Sequence, residues 1–436
     1  MQKIHEKKYD VVVCGSGCAG FCAAIQAARA GCKTAIIEKH GMPGGIMTVM
    51  GNNDVAQFNA HQKQIIKGIG WEFILELSKR GYADIPDFTM VDVAHWKFGV
   101  KVNIIAAAKL IDEMLLENNI DIFYNQPVVE VDTENDEKDS GRARIKYITI
   151  STKDGLKKIE SSIFIDCTGD GDISAWAGAQ FECGDETTGE LQPGTIRFFT
   201  RRYNNLIIDI NEIDETLLNL TKNGQLLTED YMGLSVKELL SIDGDNCNHI
   251  SHFNGADSDS KTKAEIAGRE SVYRLMEAIK RAGKSADNIE INYCTPEVAV
   301  RESRRILCDS YITMEDYISA KSYDDSICYS FYPIDRHEIG DKGIFQIFLE
   351  DGIVPKIPLS ALVPKGISNL YVAGRCASGD RNANSAFRVK ASCMAMGQAA
   401  GAAAAVAVHE NNGITRGINL SKVKEILIEN NAIVPN

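Results

Sequence analysis

Two short stretches concentrate side chains able to move protons and steady negative charge. Arg301-Glu302-Ser303-Arg304-Arg305 carries three guanidinium groups, and Phe331-Tyr332-Pro333-Ile334-Asp335-Arg336-His337-Glu338 combines a phenol, an imidazole and two carboxylates. Arg304 or Arg305 could clamp an anion or stabilise an enolate-like oxygen, because a guanidinium is a rigid fork of donors that keeps its charge. Tyr332 could donate a proton, and His337 could exchange one near neutral pH. A structural alternative stands beside each. The arginines and Glu302 could form salt bridges at a domain junction, Asp335 could orient its neighbours, His337 could cap a local turn, and Tyr332 could pack with a phenolic hydrogen bond.

A second set of spacings concerns phosphate. Val11-Val12-Val13-Cys14-Gly15-Ser16-Gly17-Cys18-Ala19-Gly20 reads as a strand, a glycine turn and the start of a helix, and Ile36-Ile37-Glu38 closes a second strand on an acid. Gly15 permits the tight turn, Gly17 lets backbone approach a pyrophosphate, and Gly20 lets the helix lie close to the sheet. Glu38, with Lys39 beside it, stands eighteen residues after Gly20. That spacing suits an acid that accepts from adenosine ribose hydroxyls and disfavours a 2′-phosphate, which argues against NADP. The glycine pattern alone leaves NAD and FAD open.

These groups need a scaffold. A chain of 436 residues, 44% hydrophobic and with 36 glycines, fits an α/β protein of two domains. Acidic residues outnumber basic ones 60 to 47, a net charge of -13, which speaks against nucleic acid as a partner. The N-terminus runs from charged residues directly into a strand, without a secretory apolar segment, so a cytoplasmic protein is expected. The apolar stretch at 399–408 is short and alanine-rich, and is expected as a buried helix, with no stable membrane insertion. The 12 cysteines, dispersed through a large chain, read as reduced packing thiols. No HExxH or tight cysteine-histidine set supports a metal.

Periodicity predicts helices over about 18–30, 60–80, 101–117, 260–281 and 385–408, and strands near 120–124, 127–131, 143–152 and 162–165, with a solvated turn at 133–141. Gly44-Gly45 fall in a glycine-rich passage after the second strand. Asp166-Cys167-Thr168-Gly169-Asp170-Gly171-Asp172 sets another glycine turn after a strand, with Gly169 and Asp170 as a second cofactor wall. The acidic, poorly periodic region 209–248 looks inserted. The expected division is 1–195 for the first segment of a nucleotide domain, 196–350 for a substrate-side cap, 351–408 for the last nucleotide segment, and 409–436 for a helical tail.

Taken together, the Gly15–Gly20 turn, Gly44-Gly45, the 166–172 turn, Asn369-Leu370-Tyr371-Val372-Ala373-Gly374-Arg375 and the 388–401 segment resemble FAD-dependent oxidoreductases of the glutathione reductase and fumarate reductase type. The resemblance spans roughly residues 8 to 408. It implies an α/β fold, a Rossmann-like FAD-binding domain with an inserted α+β substrate-side domain, and noncovalent FAD. It further implies that Gly15, Ser16 and Gly17 hold the pyrophosphate, that Glu38 binds the ribose and that Val129 lies by adenine. Gly45 and Gly374 would pass near the cofactor's middle, and Arg388 would begin the helix beneath the flavin carbonyl edge. The arginine run and the Tyr332–His337 stretch also resemble motifs of a less-characterised branch of this family.

The departures matter too. Cys18 belongs to no CxxC pair, and no cysteine-rich segment suggests an iron-sulfur wire. Asn52-Asn53-Asp54 could line the flavin side of a substrate cavity or satisfy a turn, and His95, Trp96 and Phe98 could form an aromatic wall or pack inside. The expected reaction is hydride exchange between a small organic substrate and flavin N5, as a dehydrogenase or double-bond reductase. The alternatives are a flavin monooxygenase and a non-enzymatic redox sensor. An external electron carrier or NAD(P)H could complete the cycle, and a homodimer is compatible with the sequence.

Overall fold

In the computed structural model, residues 5–202, 209–286, 289–340 and 343–436 are described. Strand β1 (His5–Cys14) is central: Val11, Val12 and Val13 have no exposed surface, as expected for a strand covered on both faces. It runs parallel to β2 (Thr34–Ile37), which in turn pairs in parallel with β3 (Asp121–Phe123). Strands β4 (Val128–Asn135) and β5 (Ala143–Thr152) form an antiparallel ribbon continued by β6 (Gly155–Asp166). β6 lies parallel to β1. It divides its other edge, with Gly155–Glu160 pairing β5 and Phe164–Asp166 pairing the late strand β7 (Leu370–Val372). The last segment of the chain thus enters the same sheet as the first.

Helix α1 (Cys18–Arg29) follows the glycine turn. Helix α2 (Ile104–Glu117) starts where the Asn103 side chain accepts from the amides of Ile105 and Ala106. Helix α3 (Ser258–Lys280) belongs to the inserted region, and α4 (Lys390–Glu410) packs along α1. Small residues make that approach possible. A Cβ on Gly397 would stand 2.0 Å from the Ala19 carbonyl oxygen, and one on Gly401 would stand 2.4 Å from that of Ala23. The two glycines are four apart and share one helix face. Replacing Gly397→Val should force α4 off α1 and destabilise the protein by about 3 kcal/mol, read from urea unfolding. An unchanged midpoint would refute this packing.

Helix α4 is long and apolar enough to cross a bilayer, but 89% of its most apolar window is buried within the fold. A second hydrophobic core, built from Ile196, Phe198, Leu217, Leu275 and Val298 among others, occupies residues 196–298. Ile312, Tyr317, Ile327 and Ile334 belong to the main core. Val423 and Leu427 in the tail also pack on the main core.

Other departures have local causes. Of the expected 60–80 helix only Ile69–Lys79 forms, because residues 59–64 make a tight strand pair with His61 and Gln62 at positive φ. The solvated turn starts later than expected, since β4 continues to Asn135. Within 209–248, Ile210–Lys222 and Val236–Ser241 are helical, the first buried through Ile213 and Leu217. The expected single helix at 385–408 is two, Arg381–Phe387 and α4, separated by Arg388 and an extended Val389.

Candidate active site

The glycine turn is shaped by its neighbours. Gly15 has φ +96°, and a Cβ there would come within 2.4 Å of the Cys167 carbonyl oxygen; one on Gly20 would come within 1.8 Å of the Gly15 oxygen. Gly17 differs: a Cβ there would meet no protein atom within 4 Å. The start of α1 has no side-chain cap and no acid in its first turn, so its leading amides and positive dipole end are available to an anion. Gly44 and Gly45 close over this opening. The Gly44 amide donates to the Ser16 carbonyl at 2.9 Å, and a Cβ on Gly45 would stand 3.1 Å from the Gly17 Cα. This uncapped cradle, open where Gly17 lacks a side chain, fits a pyrophosphate.

Glu38 is buried and braces the turn. Its Oε2 accepts from the Ser16 amide and hydroxyl, both at 2.8 Å, and its Oε1 accepts from the His40 amide at 2.9 Å. A ribose would meet only the lone pairs left by these three donors. Lys39 lies 3.8 Å from Glu297 of the cap, and Val129 stands half-exposed on β4.

The second wall forms at the end of β6. The buried Asp166 carboxylate accepts from the amides and hydroxyls of Thr168 and Ser174, which folds the turn. Asp170 then accepts from Ser303 at 2.7 Å and Arg375 at 2.8 Å. Burial would raise the Asp170 carboxyl, but Arg375 and the Ser303 hydroxyl outweigh it and hold the group below the ordinary carboxylate range. Gly169 has φ +81°, with Arg375 beside it; Gly374 has φ +95°, and a Cβ there would stand 3.2 Å from Ala19 Cβ.

Arg304 and Arg305 occupy the domain junction. Arg304 donates to Asp172 at 2.7 Å, to the Asp170 carbonyl at 3.1 Å and to the Ala256 carbonyl at 3.1 Å. Arg305 is buried and engages Glu302 at 2.9 Å, Glu182 at 3.3 Å and the Gly184 carbonyl. Glu302 is also held by Arg381. With these partners Arg304 and Arg305 tie the 303–306 segment to the 166–172 turn and to Glu182 and Glu302.

Arg301 and Arg388 meet carbonyl and side-chain amide oxygens instead. Arg388 donates to the Arg301 carbonyl, to Gln192 Oε1 at 2.9 Å and to the Asp335 carbonyl at 3.3 Å. Arg301 donates to the Pro193 carbonyl at 2.7 Å and to the Asn246 side chain. Among the described residues, neither makes a carboxylate ion pair. Burial and mutual repulsion lower Arg301 to about 9, and burial lowers Arg388 to about 10. The Gln192 Nε2, itself buried, has no partner in the protein. Its Oε1 also receives the His337 amide at 3.1 Å.

His337 is buried here, with Nδ1 2.9 Å from His249 Nε2 and Nε2 3.5 Å from Asp335 Oδ2. Burial, then Arg301, lowers His337 to about 4 against the pull of Asp335; burial, Arg301 and His337 lower His249 to about 3. Both rings are therefore neutral at pH 7. Unfolded imidazoles bind protons near pH ~6.5, so below that value the unfolded chain binds more protons than the native one and stability falls. The loss continues down to the native values, and His337 alone accounts for about 3 kcal/mol of it. Exchanging both histidines for glutamine should flatten the fall in melting temperature between roughly pH 7 and 4.5. Equal slopes in both proteins would count against buried neutral rings.

Tyr332 lies within electrostatic reach of Asp335 and Arg388: burial, then Asp335 and Asp54, raises its phenol well above the usual range. Its ring lies 5.0 Å from that of His95, which also meets Phe348 and Trp96. Trp96 is itself 58% exposed, so it forms a rim rather than interior packing. Lys390, at the first turn of α4, donates to Asn52 Oδ1 and, at 2.7 Å, to the Asp54 carbonyl, while Asn53 accepts from Arg197 at 2.7 Å. Arg388 sits in the break before α4, which starts at Lys390, where the family likeness had it open the helix. Among the described residues no histidine, cysteine or acid group is arranged for a metal, and the twelve cysteines are free thiols.

Sequence reasoning did not single out His249, Gln192, Ser303 or Arg375 as site residues. His249 and Gln192 lie in irregular segments without periodic or motif signal. Arg375 and Ser303 stood inside motifs, and the proximity of Asp170 is what reveals their role.

The model of the FAD dependent oxidoreductase family matches residues 10–427. No curated protein matches the sequence. Among solved structures, a geranylgeranyl bacteriochlorophyll reductase-like protein from Thermoplasma acidophilum is 12% identical, with 97% of this chain and 84% of that one covered and a TM-score of 0.44. The p-nitrophenol 4-monooxygenase of Pseudomonas putida DLL-E4 is 12% identical over 99% of this chain and 85% of that one, with a TM-score of 0.42. The E. coli quinol fumarate reductase flavoprotein is 12% identical over 98% and 74%, also with a TM-score of 0.42. A family model that takes in the glycine turn, both cofactor walls and α4 identifies this chain as a member of the FAD dependent oxidoreductase family, an enzyme that uses FAD.

Proposed function

We propose that the enzyme transfers a hydride between a small organic substrate and N5 of FAD, as a dehydrogenase or a double-bond reductase. The observation that supports this reading is the cluster of Arg301, Arg388, His249 and His337, in which, among the described residues, the two guanidiniums make no carboxylate ion pair and the two imidazoles are buried and in contact. When bound, FAD supplies the two-electron acceptor or donor. Gly17 and the leading amides of α1 hold its pyrophosphate, and Asp170, fixed by Ser303 and Arg375, forms the wall behind it. Arg301, Arg388 and the Gln192 amide orient the substrate and stabilise charge on an oxygen next to the reacting carbon. A neutral imidazole accepts the proton that leaves when a saturated substrate is oxidised, or returns it when a double bond is reduced. An external carrier or NAD(P)H closes the cycle.

The test is anaerobic turnover with a panel of small metabolites, repeated under isotopically labelled dioxygen. Substrate conversion without oxygen, giving a product free of the label, is expected. A product that carries the label would replace this reading with a monooxygenase, and flavin binding without any turnover would favour the sensor role.

A further inference from the structure

A continuous series of contacts links the cofactor cradle to the two imidazoles. Gly374 lies against Ala19 of the glycine turn, and a Cβ on it would be 3.9 Å from Cys393 Sγ. Cys393 donates to the Arg388 carbonyl at 3.0 Å. Arg388 reaches Gln192, the same Gln192 oxygen receives the His337 amide, and His337 meets His249. The charged groups around the pair are few. Arg301 and Arg388 face it from the 301 turn and the break before α4, Asp335 stands beside His337, and the Glu229 carbonyl takes the His249 amide at 2.8 Å while its carboxylate accepts from Ser251.

Asp335 beside Nε2 of His337 favours one pair of tautomers. In that pair, His337 carries its hydrogen on Nε2 and presents Nδ1 as an acceptor; His249 fills that acceptor with its own Nε2 hydrogen. The lone pair left over is Nδ1 of His249. The relay therefore ends on His249, which sequence reading had passed over, and His337 is its middle member.

Resting on the hydride-transfer reading above, we propose that Asp335, His337 and His249 form a proton relay whose terminal group, His249, takes up the proton released when FAD is reduced by substrate. In the dehydrogenase direction one substrate C–H bond breaks and its electron pair leaves with the hydrogen as hydride to FAD. The adjacent O–H, N–H or C–H bond breaks, its proton passes to His249 Nδ1, and the substrate gains a double bond. The substrate is oxidised by two electrons, FAD is reduced by two, and the proton later leaves the imidazole for solvent. Burial first, and then the nearby Arg301, disfavours protonation of the pair at rest. Negative charge arriving beside the arginines offsets their repulsion and favours protonation of the rings.

The experiment is spectroelectrochemical reduction of the FAD-loaded protein with small redox mediators and no substrate, at a series of values from roughly pH 5 to 7. The slope of midpoint potential against pH counts protons taken up per two electrons. Wild-type protein should take up one more proton than His249→Gln, whose amide still donates to His337 but carries no proton onward. Asp335→Asn removes the negative neighbour and should move the extra uptake to lower pH. Should His249→Gln not fold, nitrogen NMR of labelled histidine in wild-type protein gives the same information: one of the two rings becomes protonated on reduction. Equal slopes for wild type and His249→Gln, or rings that stay neutral in the reduced protein, would overturn the relay. These readouts need no substrate turnover, so they can fail while the hydride-transfer reading stands, and a monooxygenase result in the turnover test would remove that reading without touching the proton count.

Discussion

Gly17→Asp should fold and purify nearly free of FAD. A Cβ at this position meets nothing within 4 Å, and the backbone φ of -65° suits any residue, so the protein itself has no reason to reject a side chain there. The open space lies at the uncapped start of α1, where the pyrophosphate is held. A carboxylate about 4 Å from a phosphate charge, in an effective dielectric of ~20, costs about 4 kcal/mol, or roughly a thousandfold in affinity. Gly17→Ala, which adds bulk without charge, should lose much less. Occupancy is read from the visible flavin absorbance relative to protein, and a folded Gly17→Asp variant with normal FAD content would remove the pyrophosphate from this turn.

The second large effect is expected at Arg388. Its guanidinium ties the Arg301 carbonyl, Gln192 and the Asp335 carbonyl together at the break between the Arg381–Phe387 helix and α4. Arg388→Met keeps much of the aliphatic stem and removes the charge. FAD retention should change little, because the cradle at Gly15–Gly17 and Glu38 is intact. Substrate-linked flavin reduction should slow by about a hundredfold to a thousandfold, the range for losing one donor aimed at developing charge. Stopped-flow reduction under anaerobic conditions measures this directly. A variant that lost FAD but kept its reduction rate per bound flavin would make Arg388 a cofactor ligand with no part in charge stabilisation.

The cofactor half of the site was legible because its determinants are local and steric. Gly15 and Gly20 have no room for a side chain against backbone atoms a few residues or one strand away, and such constraints appear directly as spaced glycines. The three consecutive valines of β1 likewise announced a covered parallel strand. The substrate half was less legible because it depends on which partners distant segments bring. Three arginines within five positions look alike in sequence. Pairing of Arg304–Ile306 with Phe181–Cys183 brings Arg304 and Arg305 to the junction acids, while Arg301 meets only carbonyl and amide oxygens. The break at Val389 runs against the helix-favouring composition around it, and tertiary hydrogen bonds from Arg388 hold it. His249 carries no local signature, and only the fold brings it to His337.

In the proposed reaction, FAD in the glycine cradle exchanges electrons with a substrate held beside Arg301, Arg388 and the two histidines. This exchange is tested most directly by the anaerobic visible spectrum of purified protein, before and after additions from a small-metabolite panel, with the released cofactor identified after denaturation. Released FAD and bleaching by at least one small organic substrate are expected. A protein that neither carries nor rebinds FAD would contradict it.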